Sequence, residues 1–206
     1  RDWYIWRDGR PLPSSPSGGG REGSHPPNNW GSTFGGPAWD HDPATGQYYY
    51  LFFFNQQPYL NWRNPAVQEA MFAAARFWLD LGVDGFRLDA IGTLFEHPDL
   101  PDHSAALTLP ELYQALQAAK TPDERKHVEE QGKALFQHQT DLPEVHTTLR
   151  ALRALVDEYD DRVLVGETDD IAYHGGGADE LHLAFNFPLM RANRLSPDWA
   201  RANQRE

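Results

Sequence analysis

The chain has 206 residues, of which 40% are hydrophobic, and it carries a formal net charge of −12. This much apolar material supports a packed core, so the composition excludes a wholly disordered chain. The acidic balance predicts repulsion from phosphate backbones and anionic membranes, and we expect neither nucleic acid nor a membrane as a partner. A neutral ligand is compatible with this charge.

The chain contains no Cys, which excludes disulfides and thiolate metal sites within it. No apolar run approaches the ~18 residues that a membrane helix needs. No signal peptide is visible, and the first residue is Arg1 rather than an initiator Met, so we interpret the chain as an internal segment of a longer protein. We expect a cytoplasmic location and predict no cofactor and no metal, whereas the oligomeric state stays open.

The first 62 residues are irregular and rich in Gly, Pro and aromatic side chains. Within them, residues 12–27 form a low-complexity stretch for which we predict a flexible surface loop. Residues 45–54 are interpreted as a turn at Thr45–Gly46 followed by a strand.

Two helices are clearly delimited in the sequence. The first is predicted from an N-cap at Asn64 to a stop at Gly82. The second is predicted to begin with a cap at Asp141, followed by Pro143 and Glu144 in the first turn. The three- and four-residue spacing in the first helix predicts one buried face made of Val67, Met71, Ala74 and Trp78.

Short strands alternate with these helices. They are predicted at Val83–Ala90, Arg162–Glu167 and Leu181–Phe187. A long polar excursion over residues 91–140 separates the first two and has helices near residues 110–120 and 122–138. The alternation predicts parallel βαβ units. Two of the strands end in a carboxylate, Asp89 and Glu167, and parallel α/β folds place their chemistry at that edge.

The two acids have different surroundings. Arg87 lies two residues before Asp89 on the same strand, hence on the same face, and its charge is expected to lower the pKa of Asp89, as suits a nucleophile. Glu167 follows an apolar run, which favours a raised carboxyl pKa and suits a general acid. Two carboxylates with opposed pKa values are what glycoside hydrolysis needs, and a separation of about 5–5.5 Å between them would predict retention. The alternative is that Arg87 and Asp89 form only an ion pair at a sheet end.

At these residues the sequence resembles the α-amylase family of glycoside hydrolases. The segment GVDGFRLDA resembles the nucleophile segment of that family, with Arg87 and Asp89 at its arginine and aspartate. VLVGET resembles the acid/base segment, with Glu167 as the proton donor. Residues 27–65 look like the end of the inserted domain B, and residues 179–190 resemble the sixth-strand region. The resemblance is closest to the α-glucosidase and oligo-1,6-glucosidase branch.

The resemblance implies an α/β fold, namely a partial (β/α)₈ TIM barrel with strands four to six over residues 63–206, preceded by the end of domain B over residues 1–62. It implies a retaining α-glucosidase that acts on α-glucoside oligosaccharides, in which Arg87 binds substrate. Ala90 after the nucleophile implies a preference for α-1,4 over α-1,6 bonds. The first conserved segment and the third catalytic Asp of the family lie outside the chain, so we expect this segment alone to be inactive.

Alternatives within and beyond this chemistry stay open. Transglycosylating relatives of the trehalose synthase or sucrose isomerase type share both carboxylates. A non-catalytic barrel homologue would act as an interaction domain, although such proteins tend to lose a catalytic carboxylate and this chain retains Asp89, Glu167 and Arg87. Tyr59 stands where relatives usually carry Asp, which leaves the domain B junction in question.

Other polar and aromatic residues have two interpretations each. Aromatic side chains of the domain B stretch either stack on a sugar or fill the core, the candidates being Trp30, Phe34 and Trp39. Scattered histidines either contact sugar hydroxyls or have solvated or structural roles, the candidates being His41, His97, His103 and His182. The acidic run Asp157–Asp161 is predicted to be a solvated helix end.

Overall fold

The computed structural model describes residues 2–11, 24–168, 170–187, 189 and 194–203. Most of the predicted loop 12–27 therefore lies outside the described residues. The chain divides into two compact units, of which the first contains the residues up to Gln68 together with Phe95–Leu142. The second contains Glu69–Leu94 and the residues from Pro143 onward. In the described ranges, no helix is long and apolar enough to cross a membrane.

Short strands and medium-length helices follow one another along the chain. The strands are β1 (Trp6–Arg7), β2 (Arg10–Pro11), β3 (Ser24–His25), β4 (Trp39–Asp42), β5 (Gln47–Tyr50), β6 (Gly85–Leu88), β7 (Val163–Gly166) and β8 (Leu183–Ala184). The helices are α1 (Pro65–Asp80), α2 (Leu109–Ala118), α3 (Pro122–Phe136), α4 (Glu144–Val156) and α5 (Pro197–Asn203). Single 3₁₀ turns span Ile91–Thr93 and Ile171–His174.

The first unit is built on an antiparallel sheet in the order β1-β5-β4. A tight turn joins β4 to β5, in which Gly46 has a φ of 71° and donates its N–H to the carbonyl of Asp42 at 2.8 Å. The predicted turn at Thr45–Gly46 is therefore confirmed. The strand that follows ends at Tyr50, four residues before the predicted end at residue 54.

Aromatic side chains form the core of this unit. Trp30 and Trp39 are 1% and 2% exposed, so the core-filling interpretation is confirmed for both and sugar stacking is wrong for them. Their polar atoms are satisfied, because Asn28 Oδ1 accepts from Trp39 Nε1 at 2.7 Å and from the Trp30 N–H at 3.1 Å. The buried cluster consists of Ile5, Trp30, Ala38, Trp39, Tyr48, Tyr50 and Phe52.

Helix α1 begins and ends as its sequence predicts. Asn64 Oδ1 accepts from the Ala66 N–H at 3.0 Å, which satisfies one of the free donors of the first turn. Gly82 follows the last turn in the left-handed region, with a φ of 94°, and donates to the Leu79 carbonyl at 2.9 Å. This is the usual way in which a glycine ends a helix.

The predicted buried face of α1 is only partly right. Val67 is fully buried, but Met71 and Trp78 are 40% and 51% exposed, and Ala74 is exposed as well. Periodicity identifies an apolar stripe, whereas burial needs a neighbouring element that covers it. Among the described residues, no element covers the stripe beyond Val67.

The helices of the excursion agree with their predictions within two residues. Each begins with a Thr whose N–H donates to a Glu three positions later, Thr108 to Glu111 in α2 and Thr121 to Glu124 in α3, and Thr121 Oγ1 also accepts from the Glu124 N–H. Helix α4, in contrast, does not begin with a cap at Asp141. Asp141 has a φ of 57°, which removes it from the helix, and Pro143 occupies the N-cap position instead.

The second unit contains a parallel sheet in the order β6-β7-β8, which confirms the predicted parallel pairing. Gly85 opens β6 with a φ of 146°, and a Cβ at this position would lie 1.9 Å from the carbonyl oxygen of Val163. Strand β8 is shorter than the predicted Leu181–Phe187. The N–H of Leu181 is bonded to Tyr173 at 2.9 Å and is therefore not available to the ladder.

Candidate active site

The two carboxylates that the sequence singled out lie at the same edge of the parallel sheet. Asp89 directly follows β6 and Glu167 directly follows β7. Leu88 pairs with Gly166 in the ladder, and the N–H of Glu167 donates to the carbonyl of Leu88 at 2.9 Å. Because parallel strands end together, the pairing of β6 with β7 brings both acids to one place.

Arg87 contacts both acids. Its Nη1 donates to Asp89 Oδ1, and its Nη2 lies 2.8 Å from Glu167 Oε2. The guanidinium carbon lies 5.7 Å from the centre of the Phe185 ring. The side chains of Arg87, Asp89 and Glu167 are 48%, 75% and 31% exposed, so a ligand can reach them. The expected placement of Arg87 and Asp89 on one face is therefore confirmed.

The pKa of Asp89 lies below its ordinary value. The largest cause is a hydrogen bond with Glu167; partial desolvation acts the other way, and the hydrogen bond and charge of Arg87 lower the pKa further. The direction is the one expected from the sequence, although the largest single cause involves Glu167 rather than Arg87.

Ala90 directly follows Asp89 in the chain, and its backbone N–H contacts Glu167. It has a left-handed conformation, with φ 42° and ψ 46°, that few residues other than glycine adopt. Its N–H donates to Glu167 Oε2 at 3.2 Å, and its carbonyl accepts from Thr93 Oγ1 at 2.7 Å. Glu167 Oε2 therefore receives two donors, from Ala90 and Arg87. Nothing in the sequence marks an alanine for this conformation, so sequence reasoning missed this contact.

Gly166 permits a close approach immediately before Glu167. A Cβ at this position would lie 2.4 Å from Leu181 Cδ1 and 3.1 Å from Ile91 Cδ1. The neighbour is the side chain of Leu181, which is only 1% exposed.

The first unit contains an exposed pair of aromatic rings. Phe34 and Phe54 are 59% and 55% exposed, and their ring centres lie 4.5 Å apart. Phe53, Asp40 and Asn55 help to line the adjacent cleft of about 300 Å³. Of the three aromatic residues proposed from sequence for sugar stacking, Phe34 is thus the exposed one.

The histidines make local structural contacts. The Nδ1 atoms of His97 and His103 accept from N–H groups two residues later, both at 3.2 Å, and His182 Nδ1 accepts from the Leu164 N–H at 3.0 Å. The ring of His41 lies 5.0 Å from that of Tyr48. These contacts support the structural interpretation. In the part of the chain that the structure describes, no group of three or more metal-ligating side chains could hold a metal ion.

Tyr59 is the position that left the domain B junction in question in the sequence. Tyr59 packs edge-on against Tyr50 with ring centres 5.5 Å apart, as a partly buried neighbour of the aromatic core.

The acidic run after α4 is exposed, but it is also ion-paired, because Asp157 lies 2.8 Å from Arg153 and Glu158 lies 2.5 Å from Arg76. The prediction of a merely solvated helix end is therefore incomplete.

The chain resembles known proteins in both sequence and structure. The family described as alpha amylase, catalytic domain, matches residues 1–204. The chain belongs to the α-amylase family. Its structural neighbours are TIM-barrel enzymes of this family, and the described chain is a partial α/β fold of that kind.

The relatives include hydrolases and glucosyl-transferring enzymes. A probable alpha-glucosidase of Rhizobium meliloti (strain 1021) is 36% identical over 95% of this chain and 33% of its own length. An oligo-1,6-glucosidase of Heyndrickxia coagulans is 33% identical over 92% of this chain and 29% of its own length. The crystal structure of an alpha-glucosyl transfer enzyme matches with a TM-score of 0.70 and 33% identity, over 98% of this chain and 35% of that one. Other relatives are named trehalose synthase/amylase or trehalulose synthase.

The chain thus spans about a third of the length of the curated relatives that it matches. Among these relatives the names alpha-glucosidase and oligo-1,6-glucosidase recur, and others are named for glucosyl transfer.

Proposed function

We propose that this chain carries two catalytic acids of a retaining α-glucosidase, with Asp89 as the nucleophile and Glu167 as the general acid and base. Arg87 holds both carboxylates and binds substrate. The observation that carries the proposal is that the guanidinium of Arg87 contacts both Asp89 and Glu167 at the ends of two paired parallel strands. Two carboxylates that bind one guanidinium suit the separation of about 5–5.5 Å found in retaining enzymes better than the separation of about 6.5–9.5 Å that inverting enzymes need for a water.

The reaction proceeds in two displacements. In the first, the ionised carboxylate of Asp89 attacks the anomeric carbon while Glu167 gives its proton to the leaving glycosidic oxygen, and a glucosyl ester forms on Asp89. In the second, Glu167 takes a proton from a water that attacks the same carbon and releases Asp89. Two inversions give net retention. The lowered pKa of Asp89 supports its role in the first step.

The substrate class is a neutral α-glucoside. The net charge of −12 suits an uncharged ligand, and the rings of Phe34 and Phe54 offer an apolar platform of the kind on which pyranose faces stack. Asp40 and Asn55 lie beside that platform and can bind hydroxyl groups. Ala90 favours α-1,4 over α-1,6 bonds in this proposal.

The domain assignment is part of the same proposal. Strands β6, β7 and β8 correspond to barrel strands four, five and six, and residues 63–206 to a partial catalytic barrel. Residues 1–62 correspond to the end of domain B. The order of the three parallel strands along the chain and in the sheet supports this assignment.

Glucosyl transfer to a sugar acceptor is the second candidate function. The likeness to a glucosyl transfer enzyme favours it, since both chemistries use the same glucosyl ester. They differ in whether water or a sugar attacks that ester. A non-catalytic role is disfavoured because Asp89, Glu167 and Arg87 are all present and in contact.

The test uses the full-length protein with 4-nitrophenyl α-glucoside. We expect release of 4-nitrophenol, α-glucose as the first product by NMR, and covalent labelling of Asp89 by 5-fluoro-α-glucosyl fluoride in peptide mass spectra. Asp89→Asn should abolish labelling, whereas Asp157→Asn, which changes an exposed ion-paired aspartate, should not. Release of β-glucose, or a label on another residue, would reject the proposal. Chromatography of products from maltose separates hydrolysis from transfer.

A further inference from the structure

Glu180 is a buried carboxylate that the proposed chemistry does not use. Its side chain is 1% exposed, and both of its oxygens are occupied. Oε1 lies 2.8 Å from Arg150 Nη1, and Oε2 lies 2.8 Å from His146 Nδ1. We call these three residues the Glu180 clamp. An acid enclosed in this way fixes the segment that carries it to the element that carries its partners.

That element is α4. His146, Arg150 and Arg153 lie at four- and three-residue spacing, so they share one side of the helix. Arg153 Nη1 donates to the carbonyl of Ala178 at 3.0 Å, and the ring of Tyr173 stacks on that of His146 with centres 4.8 Å apart. One side of α4 therefore contacts the connection between β7 and β8 at Tyr173, Ala178 and Glu180.

The next residue along the chain connects the clamp to the proposed acid. Leu181 follows Glu180 and occupies the space beside Gly166 that a side chain there would need. The N–H of Phe185 then donates to the carbonyl of Gly166 at 3.2 Å. Gly166 is thus held from two directions, and Glu167 is the residue directly after it.

We propose that Glu180 is a positioning residue for Glu167, which acts by seating Leu181 against Gly166 and so fixing the end of β7. The proposal rests on the proposed function. A displaced Glu167 protonates the leaving group poorly, so the defect should depend on how much protonation a substrate requires. A merely structural role would instead lower the reaction of all substrates together.

The experiment compares kcat/KM for maltose, whose leaving sugar needs a proton, with kcat/KM for α-glucosyl fluoride, whose fluoride does not. For Glu180→Gln we expect a loss of about tenfold or more on maltose and less than about threefold on the fluoride. Glu167→Gln should show the same pattern more strongly. Glu96→Gln is the matched control, because Glu96 is also buried and paired with an arginine but belongs to the first unit.

The possible results distinguish a failure of the positioning role of Glu180 from a failure of the proposed function. Equal losses of Glu180→Gln on both substrates, or a similar substrate ratio in Glu96→Gln, would overturn the positioning role alone. An inactive wild-type protein would overturn the proposed function and the role that rests on it. If Glu180→Gln does not fold, His146→Gln keeps a donor toward Glu180 at a partly exposed position and should give the same pattern with a smaller amplitude.

Discussion

Nη2 of Arg87 lies 2.8 Å from Oε2 of Glu167. Nη1 of the same guanidinium donates a hydrogen bond to Asp89, so one permanent cation contacts two acids that have different proposed roles. Near Asp89 it favours the ionised carboxylate, which a nucleophile requires. Near Glu167 it occupies Oε2 together with the Ala90 N–H, and neither of these contacts uses Oε1.

Removing this cation should move the pH dependence of the reaction. Arg87→Ala takes away a hydrogen bond and a charge that both lower the pKa of Asp89, so that pKa should rise. Asp89 must be ionised to attack, and the acidic limb of kcat/KM against pH should therefore shift to higher pH, with a loss of about a hundredfold at its maximum. Arg76→Ala, which breaks an exposed ion pair with Glu158, should leave the limb unchanged. An acidic limb that does not move in Arg87→Ala would contradict this account.

Position 90 should couple stability to bond preference. A β-branched residue is disfavoured at a φ of 42°, so Ala90→Val should lower the free energy of unfolding by about 1–2 kcal/mol in urea titrations. The N–H that contacts Glu167 should shift with the backbone, and the kcat/KM ratio of isomaltose to maltose should rise. Ala90→Gly relieves the strain without adding bulk and should not lose stability. The idea fails if Val is as stable as Ala.

Alanine substitutions at Gly85 and Gly82 distinguish the stability cost of a steric clash from that of backbone strain alone. Both have positive φ, of 146° and 94°, but only at Gly85 would a Cβ meet backbone atoms, those of Val163. Gly85→Ala should lower the free energy of unfolding by about 3 kcal/mol or more, because β6 cannot keep its pairing with β7. Gly82→Ala should cost about 1 kcal/mol, the strain alone. Urea denaturation monitored by tryptophan fluorescence measures both, and equal losses would refute the crowding argument.

The buried Glu96 predicts a pH-dependent stability difference. Desolvation raises its pKa above the ordinary value, although the charge of Arg63 opposes this. A carboxyl whose pKa is raised by folding stabilises the fold below its unfolded pKa and loses that contribution as the pH rises through the folded value. Relative to wild type, Glu96→Gln should therefore become less destabilising as the pH rises from about 4 to 7. Denaturant titrations at both ends of this range check the sign, and the opposite trend would show that the ion pair dominates.

Much of the fold could be predicted because local chemistry decides it. Asn64 and Gly82 delimit α1 through backbone groups within one turn, and the alternation of elements is enough to predict the parallel sheet that carries Asp89 and Glu167. The predictions that failed concern burial, which depends on residues elsewhere in the chain. Whether Met71 or Trp78 is buried depends on a neighbouring element, and no local pattern contains that information.

The contacts around the acids divide in the same way. The closeness of Arg87 to Asp89 follows from strand alternation alone. The contact of Arg87 with Glu167 and the position of Leu181 beside Gly166 depend on residues that are distant in the chain and meet only through strand pairing. The left-handed backbone of Ala90 is a tertiary effect for which alanine gives no signal.

The hydrogen bond between the Glu167 N–H and the Leu88 carbonyl has a consequence for how such a protein can change over evolutionary time. The acids are held in register by adjacent strands, while the residues Phe95–Leu142 that separate them in sequence belong to the other unit. Insertions or exchanges within that excursion therefore need not disturb the spacing of the two acids. Substitution tolerance should therefore be high in the excursion and low at the few positions of β6 and β7.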